Sequence, residues 1–258
     1  MTSPIDPNEL TIGNEDPNGP LIYVIGQLDF PGMSELAREL GTAQARGSFD
    51  GIRQAGGRPR LVASSALDRP APGTILSEAD GLVFLGGSDV DVTLYDQSGV
   101  EPNHYGGADK RADEYCIELL QQAAAQNIPT LAFCKGSQLM NVAFGGTLIG
   151  DIGEWQMHRG AHLPELMIDE RLTLDEDSLI AAILGRTEVT VRNGHHQAVD
   201  RVGDALRAVA NADDGIVEGV EHRTASFMVG VQWHPDDAGA DLTDRARIFD
   251  ALISRAKA

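Results

Sequence analysis

Short apolar runs alternate with amphipathic segments along most of the chain. The runs are LIYVIG at 21–26, RLVA at 60–63, GLVFLGG at 81–87 and IPTLAF at 128–133. Apolar runs of this length, separated by segments that can form helices, are typical of βαβ units around a parallel sheet. The pattern therefore predicts an α/β fold with a mainly parallel central sheet.

One of the intervening segments has a clear helical period. Between the third and fourth runs, the apolar positions that recur at helical spacing are Ala112, Tyr115, Cys116, Leu119, Leu120 and Ala123. This spacing predicts an amphipathic helix. Cys116 lies on its apolar stripe, and because free cysteine is among the most buried residue types, we expect Cys116 to belong to the core.

After residue 185 the pattern changes to short runs without long helical segments between them. The runs EVTVR, LRAVA, GIVEGVE and FMVGVQW predict strands joined by turns, which we expect to extend one edge of the sheet in antiparallel fashion. A last helix should follow, with Ala246, Phe249, Leu252 and Ile253 on its buried side. We expect residues 21–258 to form one domain, preceded by a flexible tail at 1–20 that is rich in Pro, Asn and acidic residues.

The charge balance narrows the classes of partner. The chain carries 39 acidic and 20 basic residues, a formal net charge of -19, which repels nucleic-acid backbones and anionic membranes. No stretch reaches the roughly 18 consecutive apolar residues of a membrane span, and the first residues lack the pattern of a secretory signal. Two cysteines are too few for a disulfide framework. We therefore expect a cytoplasmic protein that binds neither nucleic acid nor membrane.

Cys134 is the first candidate for chemistry. It stands where the apolar run 128–133 ends, and a helical segment with Leu139, Val142 and Ala143 on one face follows it. A cysteine at such a strand–turn–helix junction is held out from the sheet, and the N–H groups that open the helix favour a thiolate. On this segment alone, a buried structural cysteine and a nucleophile are equally good interpretations.

Two further segments favour the nucleophile. In FLGGSD at 84–89 a strand runs into paired glycines, whose N–H groups can form half of an oxyanion hole with the N–H of Lys135. In VGVQWHPDD a strand delivers His234, with Asp236 two residues beyond it. A histidine that takes a thiol proton needs a carboxylate that fixes its tautomer, and Asp236 is placed to provide one.

These segments together resemble a known family. AFCKGSQ at 132–138 is similar to the Gly-x-Cys-x-Gly-x-Gln segment of class I glutamine amidotransferases, and QWHPD at 232–236 is similar to their closing His-Pro-Glu. DGLVFLGGSDVD, NVAFGGTLIGDI, GHHQAV and DDGIVEGVE further resemble the γ-glutamyl-γ-aminobutyrate hydrolase branch, the peptidase C26-like group. The resemblance spans most of 21–237 and implies a three-layer flavodoxin-like sandwich with a nucleophile elbow.

The resemblance also implies roles for individual residues. Cys134 would be the nucleophile, His234 the base and Asp236 the orienting acid, with the N–H groups of Gly87 and Lys135 as oxyanion donors. The substrate would contact Gln138 and one or both of His195 and His196, which follow Gly194 in a loop.

Two positions depart from the family pattern. Ala132 replaces a glycine two positions before the nucleophile, where an added methyl group can crowd the elbow. Asp236 replaces a glutamate and is one methylene shorter, so we expect it to approach His234 through a backbone shift or a water molecule. Because of these two departures, a non-catalytic relative of the family stays an alternative to an active enzyme.

No cofactor or metal is expected. His158 and His162 lie four residues apart, as helical metal ligands can, but no Cys, Glu or third His completes a recognisable zinc pattern, so loop residues near the pocket are the better interpretation. A phosphate-binding loop of the GxxxxGK[ST] type does not occur in the sequence.

The resemblance implies hydrolysis of a small-molecule γ-glutamyl amide through a thioester on Cys134, releasing glutamate and a free amine. A glutaminase subunit that supplies ammonia to a separate synthetase is the first alternative, and a binding or regulatory relative is the second. A homodimer is the assembly that we keep open.

Overall fold

A computed structural model describes residues 13, 15–95, 107–153, 157–160 and 166–256. The strands are β1 (Leu21–Gly26), β2 (Arg58–Ala63), β3 (Gly81–Phe84), β4 (Thr130–Phe133), β5 (Leu148–Ile149), β6 (Ile168–Leu174), β7 (Glu188–Asn193), β8 (Ala198–Val199), β9 (Leu206–Ala212), β10 (Val217–His222) and β11 (Met228–Val231). The helices are α1 (Glu35–Gln54), α2 (Pro72–Glu78), α3 (Lys110–Ala125), α4 (Lys135–Ala143), α5 (Leu179–Leu184) and α6 (Leu242–Ala256), with a 3-10 turn at Val92–Leu94.

The strands form one mixed sheet in the order β2-β1-β3-β4-β11-β10-β9-β6-β7, and β5 and β8 pair off this path. β2, β1, β3, β4 and β11 run parallel, whereas β10, β9, β6 and β7 continue the sheet in antiparallel fashion. The predicted antiparallel extension is therefore confirmed for β7, β9 and β10. It is wrong for the FMVGVQW run, because β11 pairs in parallel with β4 inside the sheet.

Strand side chains alternate between two cores, which makes the molecule a three-layer sandwich as predicted. Leu131 and Phe133 of β4 face one core, which α1, α5 and α6 cover. Ala132 faces the other core, which α2, α3 and α4 cover. Because β4 is buried on both faces, it reads as a continuous apolar run, as strands of parallel sheets do.

The predicted helices at 112–123 and near the C-terminus are confirmed as α3 and α6. Cys116 is 4% exposed and lies in the core between α3 and the sheet, and burial raises the pKa of its thiol to about 12. On α6 the prediction for Ala246 is wrong: this residue is exposed, and Ile248 takes its place on the buried side.

One residue of the predicted tail contacts the sheet and the first helix. Residues 1–12 and 14 of that tail lie outside the described residues, and Glu15 forms ion pairs with Arg60 at 2.9 Å and Arg53 at 3.6 Å. Among the described residues, no helix combines the length and the apolar character needed to cross a membrane.

Candidate functional site

Cys134 occupies a strained turn between β4 and α4. Its backbone has φ 45° and ψ -108°, a conformation that residues other than glycine adopt rarely, and its N–H donates to the carbonyl of Val231 at 2.8 Å. The next helical turn packs on β3, because a Cβ on Gly136 would lie 2.6 Å from the carbonyl oxygen of Phe84. Only a residue without a side chain fits at position 136, so the elbow is fixed against two strands.

The alanine before the elbow is accommodated. Ala132 is fully buried, and its partner on the neighbouring strand β11 is Gly230. A Cβ on Gly230 would lie 2.6 Å from Oγ of Ser137 in α4. The helix α4 therefore approaches the sheet closely at Gly230, the strand neighbour of Ala132.

His234 follows β11 and has two polar contacts. Its Nδ1 lies 3.1 Å from Oδ1 of Asp236, and its side chain also hydrogen-bonds Cys134. Burial by itself lowers the pKa of His234, but the charges and hydrogen bonds of Cys134 and Asp236 outweigh burial and raise the pKa to about 10. At neutral pH an imidazolium therefore lies next to Cys134.

Two glycines bring His234 and Asp236 into place. A Cβ on Gly86 would lie 2.6 Å from Cε1 of His234, and a Cβ on Gly47 of α1 would lie 2.0 Å from the carbonyl oxygen of Asp236. Asp236 is 1% exposed, and its Oδ2 lies 3.4 Å from Oγ of Ser48. The shorter acid thus reaches the imidazole directly, because α1 packs closely against the turn that carries it.

Gly87, one of the two predicted oxyanion donors, lines the same cleft as Cys134, and a Cβ on Gly87 would lie 3.4 Å from Cδ of Lys135. The side chain of Lys135 turns inward, where Nζ contacts Oδ1 of Asp113 at 2.8 Å, Oε1 of Gln27 at 2.8 Å and the carbonyl of Asp89 at 2.8 Å. This buried network ties the elbow to the loop that follows β3.

The three predicted substrate-binding residues line one small pocket beside Cys134 but have different polar partners. Gln138 is 3% exposed, and its Nε2 donates to the carbonyl of Gln197 at 2.8 Å and to Oε1 of Gln232 at 3.1 Å. His196 also faces the larger cleft, and its Nε2 lies 2.8 Å from Oδ1 of Asp89. Nε2 of His195 lies 3.1 Å from Oε1 of Glu218.

The cleft above Cys134 has a volume of about 120 Å³ and is open to solvent. Its apolar wall comes from α1 and from the residues before β6: Leu36, Ala37, Leu40, Leu166 and Met167. Its polar wall contains Ser88, Asp89, Arg159, His196 and His234. Among the described lining residues, Arg159 is the only arginine or lysine.

The family model of peptidase C26 matches residues 20–236, which include the glycine turn, the elbow and the His234 segment. The chain belongs to the peptidase C26 family. This family is a class of hydrolases and amidotransferases.

Some relatives of this peptidase C26 member are named as glutamine amidotransferases and others as hydrolases. A Mycobacterium tuberculosis protein, provisionally named a glutamine amidotransferase, is 33% identical over 210 residues, which cover 81% of this chain and 66% of the relative. The γ-glutamyl-γ-aminobutyrate hydrolase of Escherichia coli K12 is 28% identical over 215 residues, which cover 80% of this chain and 83% of that enzyme. The chain thus spans just under two thirds of the first relative.

A solved structure shares the fold of this peptidase C26 member. The glutaminase domain of Trypanosoma brucei CTPS with bound acivicin superposes with a TM-score of 0.59 at 17% identity, covering 92% of this chain and 93% of that domain. At this identity the likeness supports the α/β sandwich alone.

The structure of this peptidase C26 member places two further polar residues near the site that the sequence pattern did not identify. Nε2 of Gln232 lies 3.4 Å from Sγ of Cys134, so a buried amide contacts the candidate nucleophile. Gln232 stands two residues before His234 in the same segment, which is the signal that could have found it. Asp113 is fully buried next to Ala112 on the apolar side of α3, and a carboxylate in such a position indicates a buried cation.

His158 belongs to the described segment 157–160, whereas His162 lies outside the described residues. His158 is 1% exposed and its ring lies 5.1 Å from that of His195, centroid to centroid. It is therefore a packed residue, and its carboxylate partners Glu170 and Asp214 come from distant parts of the chain.

Proposed function

We propose that the protein hydrolyses the γ-glutamyl amide bond of γ-glutamylated amines, releasing glutamate and the free amine. The single observation that carries this proposal is the meeting of Cys134, His234 and Asp236 at the strained elbow beside an open cleft. The chain's membership in the peptidase C26 family and the name of its E. coli relative support the choice of substrate bond.

The first half of the reaction forms a thioester. The thiolate of Cys134 attacks the side-chain carbonyl carbon of the γ-glutamyl group, and the N–H groups of Gly87 and Lys135 stabilise the oxyanion. The C–N bond then breaks while protonated His234 gives its proton to the leaving amine. Asp236 keeps the imidazole oriented, and its charge stabilises the imidazolium.

The second half cleaves the thioester. His234, now neutral, takes a proton from water as that water attacks the thioester carbonyl. The C–S bond breaks, glutamate leaves, and the Cys134 thiolate is again paired with protonated His234. Both halves use the same imidazole, first as an acid and then as a base.

The cleft lining supports a glutamyl group with an aliphatic amine attached. Arg159 offers a guanidinium for the α-carboxylate of the glutamyl group, and Asp89 offers a carboxylate near its ammonium. Opposite them, Leu36, Leu40 and Met167 offer apolar surface for the carbon chain of the amine. We therefore propose small alkylamines and their amino-acid derivatives as the amine half.

A substrate panel tests the proposal. Glutamate release is measured from γ-glutamyl amides of alkylamines, diamines and γ-aminobutyrate, and from free glutamine, with Cys134→Ala as the blank. We expect turnover of the alkyl amides that exceeds turnover of glutamine, abolished in Cys134→Ala and retained in Cys116→Ala, the matched change at the core cysteine. Full activity of Cys134→Ser or Cys134→Ala would refute the mechanism.

The same panel separates the alternatives. A glutaminase subunit would release glutamate from free glutamine only, and its rate would rise with a synthetase partner. A non-catalytic relative would release glutamate from neither class of compound.

A further inference from the structure

Four buried side chains behind the cleft direct their ligand atoms at one point. They are His158 in the segment 157–160, Glu170 on β6, His195 after β7 and Glu218 on β10. Their exposed fractions are 1%, 6%, 4% and 0%, and the four ligand atoms lie within 4.8 Å of one another. Two imidazoles and two carboxylates are thus enclosed together, away from solvent.

The individual distances match a tetrahedral coordination shell. Nδ1 of His158 lies 2.9 Å from Oε1 of Glu170 and 3.5 Å from Oε1 of Glu218, and Nε2 of His195 lies 3.1 Å from the same Glu218 oxygen. Ligands bound to zinc at 2.0–2.2 Å in a tetrahedron lie about 3.3–3.6 Å from one another. These three separations are close to that spacing, and the remaining pairs, all within 4.8 Å, must close by at most about 1.5 Å around a cation.

A second ring of contacts orients all four ligands. Asn193 donates through Nδ2 to Oε2 of Glu170 and to Oε2 of Glu218 at 2.8 Å, which directs both Oε1 atoms inward. Nε2 of His158 lies 2.9 Å from Oδ2 of Asp214, and Nδ1 of His195 lies 2.9 Å from the carbonyl of Gln197. A carbonyl accepts but cannot donate, so Nδ1 of His195 carries a proton and its Nε2 faces Glu218.

These inward atoms lack ordinary partners. Within the described residues, Nδ1 of His158, Oε1 of Glu170, Nε2 of His195 and Oε1 of Glu218 have no hydrogen bond of good geometry. Lone pairs and carboxylate oxygens that face each other in a buried site repel one another unless a cation lies between them. Donors of this kind, oriented by outer partners, are the ordinary construction of a metal site.

We propose that His158, Glu170, His195 and Glu218 bind one divalent transition-metal ion, with zinc the best match to two nitrogens and two carboxylate oxygens in a tetrahedron. Two carboxylates and two neutral imidazoles balance the charge of such an ion. Four protein ligands leave no position open for substrate, so the ion has a structural role. It fastens the loop 194–197, which carries His196 to the cleft, onto β6 and β10.

A proton on His158 is the alternative to a metal ion in this cluster. In the metal-free cluster, burial lowers the pKa of His158, but the nearby carboxylates of Glu170, Glu218 and Asp214 outweigh burial and raise the pKa to about 10. A protonated His158 would then hold the carboxylates together without any metal. The metal proposal does not depend on the proposed reaction, so its test does not use activity.

Metal content of the purified full chain decides between the two occupants. After incubation with Zn²⁺ and removal of the excess, elemental analysis should give one equivalent per chain, and Zn²⁺ should raise the melting temperature. His158→Ala and Glu218→Gln should lose the metal, and Asn193→Ala should weaken binding by about 10- to 100-fold. Circular dichroism identifies any variant that fails to fold, and the graded Asn193→Ala affinity keeps the test decisive in that case.

Glu221→Gln is the matched control. Glu221 lies on the same strand as Glu218 and is 2% exposed, but it contacts Arg207 at 3.0 Å and the N–H of Ile180 at 2.9 Å instead of the cluster. This variant should keep one equivalent of metal. Cys134→Ser should also keep it, which excludes binding at the candidate nucleophile.

Cobalt gives a second readout. Co²⁺ should produce the visible absorption of a tetrahedral site without thiolate-to-metal bands in the near ultraviolet. A wild-type chain that holds no Zn²⁺ or Co²⁺ and shows no change of melting temperature would overturn the proposal. Retention of the metal by His158→Ala or Glu218→Gln, or its loss in Cys134→Ser, would overturn it as well.

Discussion

Oδ1 of Asp236 lies 3.1 Å from Nδ1 of His234, although aspartate is one methylene shorter than the glutamate of the resembled His-Pro-Glu motif. The helix α1 makes this contact possible, because Gly47 lets the helix approach the carbonyl of Asp236. The shorter side chain of Asp236 therefore still contacts the imidazole of His234 directly, without a bridging water.

The first prediction concerns the charge of Asp236. Asp236→Asn keeps the shape of the side chain but removes the carboxylate that fixes the imidazole tautomer and stabilises the imidazolium. We expect kcat for a γ-glutamyl amide to fall by about 10²- to 10⁴-fold, measured by glutamate release. Asp236→Glu should also reduce kcat, since Oδ2 of Asp236 already lies 3.4 Å from Ser48. An Asp236→Asn enzyme of full activity would exclude this residue from the mechanism.

The second prediction concerns the glycine on α1. In Gly47→Ala the new methyl group would lie 2.0 Å from the carbonyl oxygen of Asp236, so helix and turn must separate. We expect a loss of about 1–3 kcal/mol in the free energy of unfolding, measured by chemical denaturation. Gly41→Ala on the same helix is the control, because its Cβ would meet no atom closer than 3.6 Å. It should be neutral or slightly stabilising. Equal losses in both variants would contradict the close packing at Gly47.

The third prediction places His234 against the glycine turn. In Gly86→Ala the methyl group would lie 2.6 Å from Cε1 of His234 and 2.8 Å from Oε1 of Gln44, which displaces the imidazole. A misplaced catalytic group of this kind should lower kcat/KM by about 10²-fold. Gly73→Ala meets no atom within 4 Å and should have no effect. If Gly86→Ala keeps the wild-type kcat/KM, catalysis does not depend on the position of the His234 imidazole beside Gly86.

Much of this fold could be predicted from local patterns. The run at 21–26 coincides with β1, and the apolar positions at 112–123 identify α3, because burial of one face imposes a period on the sequence. The strand order could not be predicted, and β11 pairs with β4 across almost one hundred residues of chain. Pairing over such a distance leaves no periodic signal.

The candidate site was predictable to the same extent. Cys134, His234 and Asp236 each follow an element that the pattern identifies, so their roles could be inferred from turns and motif. Partners such as Asp113 for Lys135, or Glu218 for His195, come from distant elements and carry no motif of their own. A metal could not be expected from the sequence, because the four proposed ligands lie at positions 158, 170, 195 and 218 and form no short motif.

The fourth prediction tests the buried pair Lys135 and Asp113. Lys135→Met leaves a fully buried carboxylate without its cation, which should cost about 3–5 kcal/mol in the free energy of unfolding. The double variant Lys135→Met/Asp113→Leu removes both charges and should recover part of that loss. Chemical denaturation of the two single variants and the double variant measures the coupling. Losses that simply add would contradict an energetic link between the two residues.

The fifth prediction concerns pH. The folded-state pKa of His234 is raised from 6.5 to about 10, so its imidazolium persists through neutral pH and is lost as the pH rises through about 10. We expect kcat/KM to fall over that range. Asp236→Asn removes one source of the shift and should move the fall to lower pH. By linkage, the imidazolium also stabilises the fold fully below about pH 6.5, and this stabilisation is lost as the pH rises through about 10. If kcat/KM falls at the same high pH in the wild type and in Asp236→Asn, His234 is not the group whose titration causes the fall.

The central claim is that Cys134 is an activated nucleophile in a glutamyl-binding cleft. Covalent labelling with a glutamine-like diazo-ketone, followed by peptide mass spectrometry, tests it most directly. Cys116 serves as the internal control, because it is buried in the core and its thiol pKa is raised to about 12. We predict one label per chain, on Cys134 alone, with labelling slowed by a γ-glutamyl amide. No label, or a label on Cys116 instead of Cys134, would contradict the account.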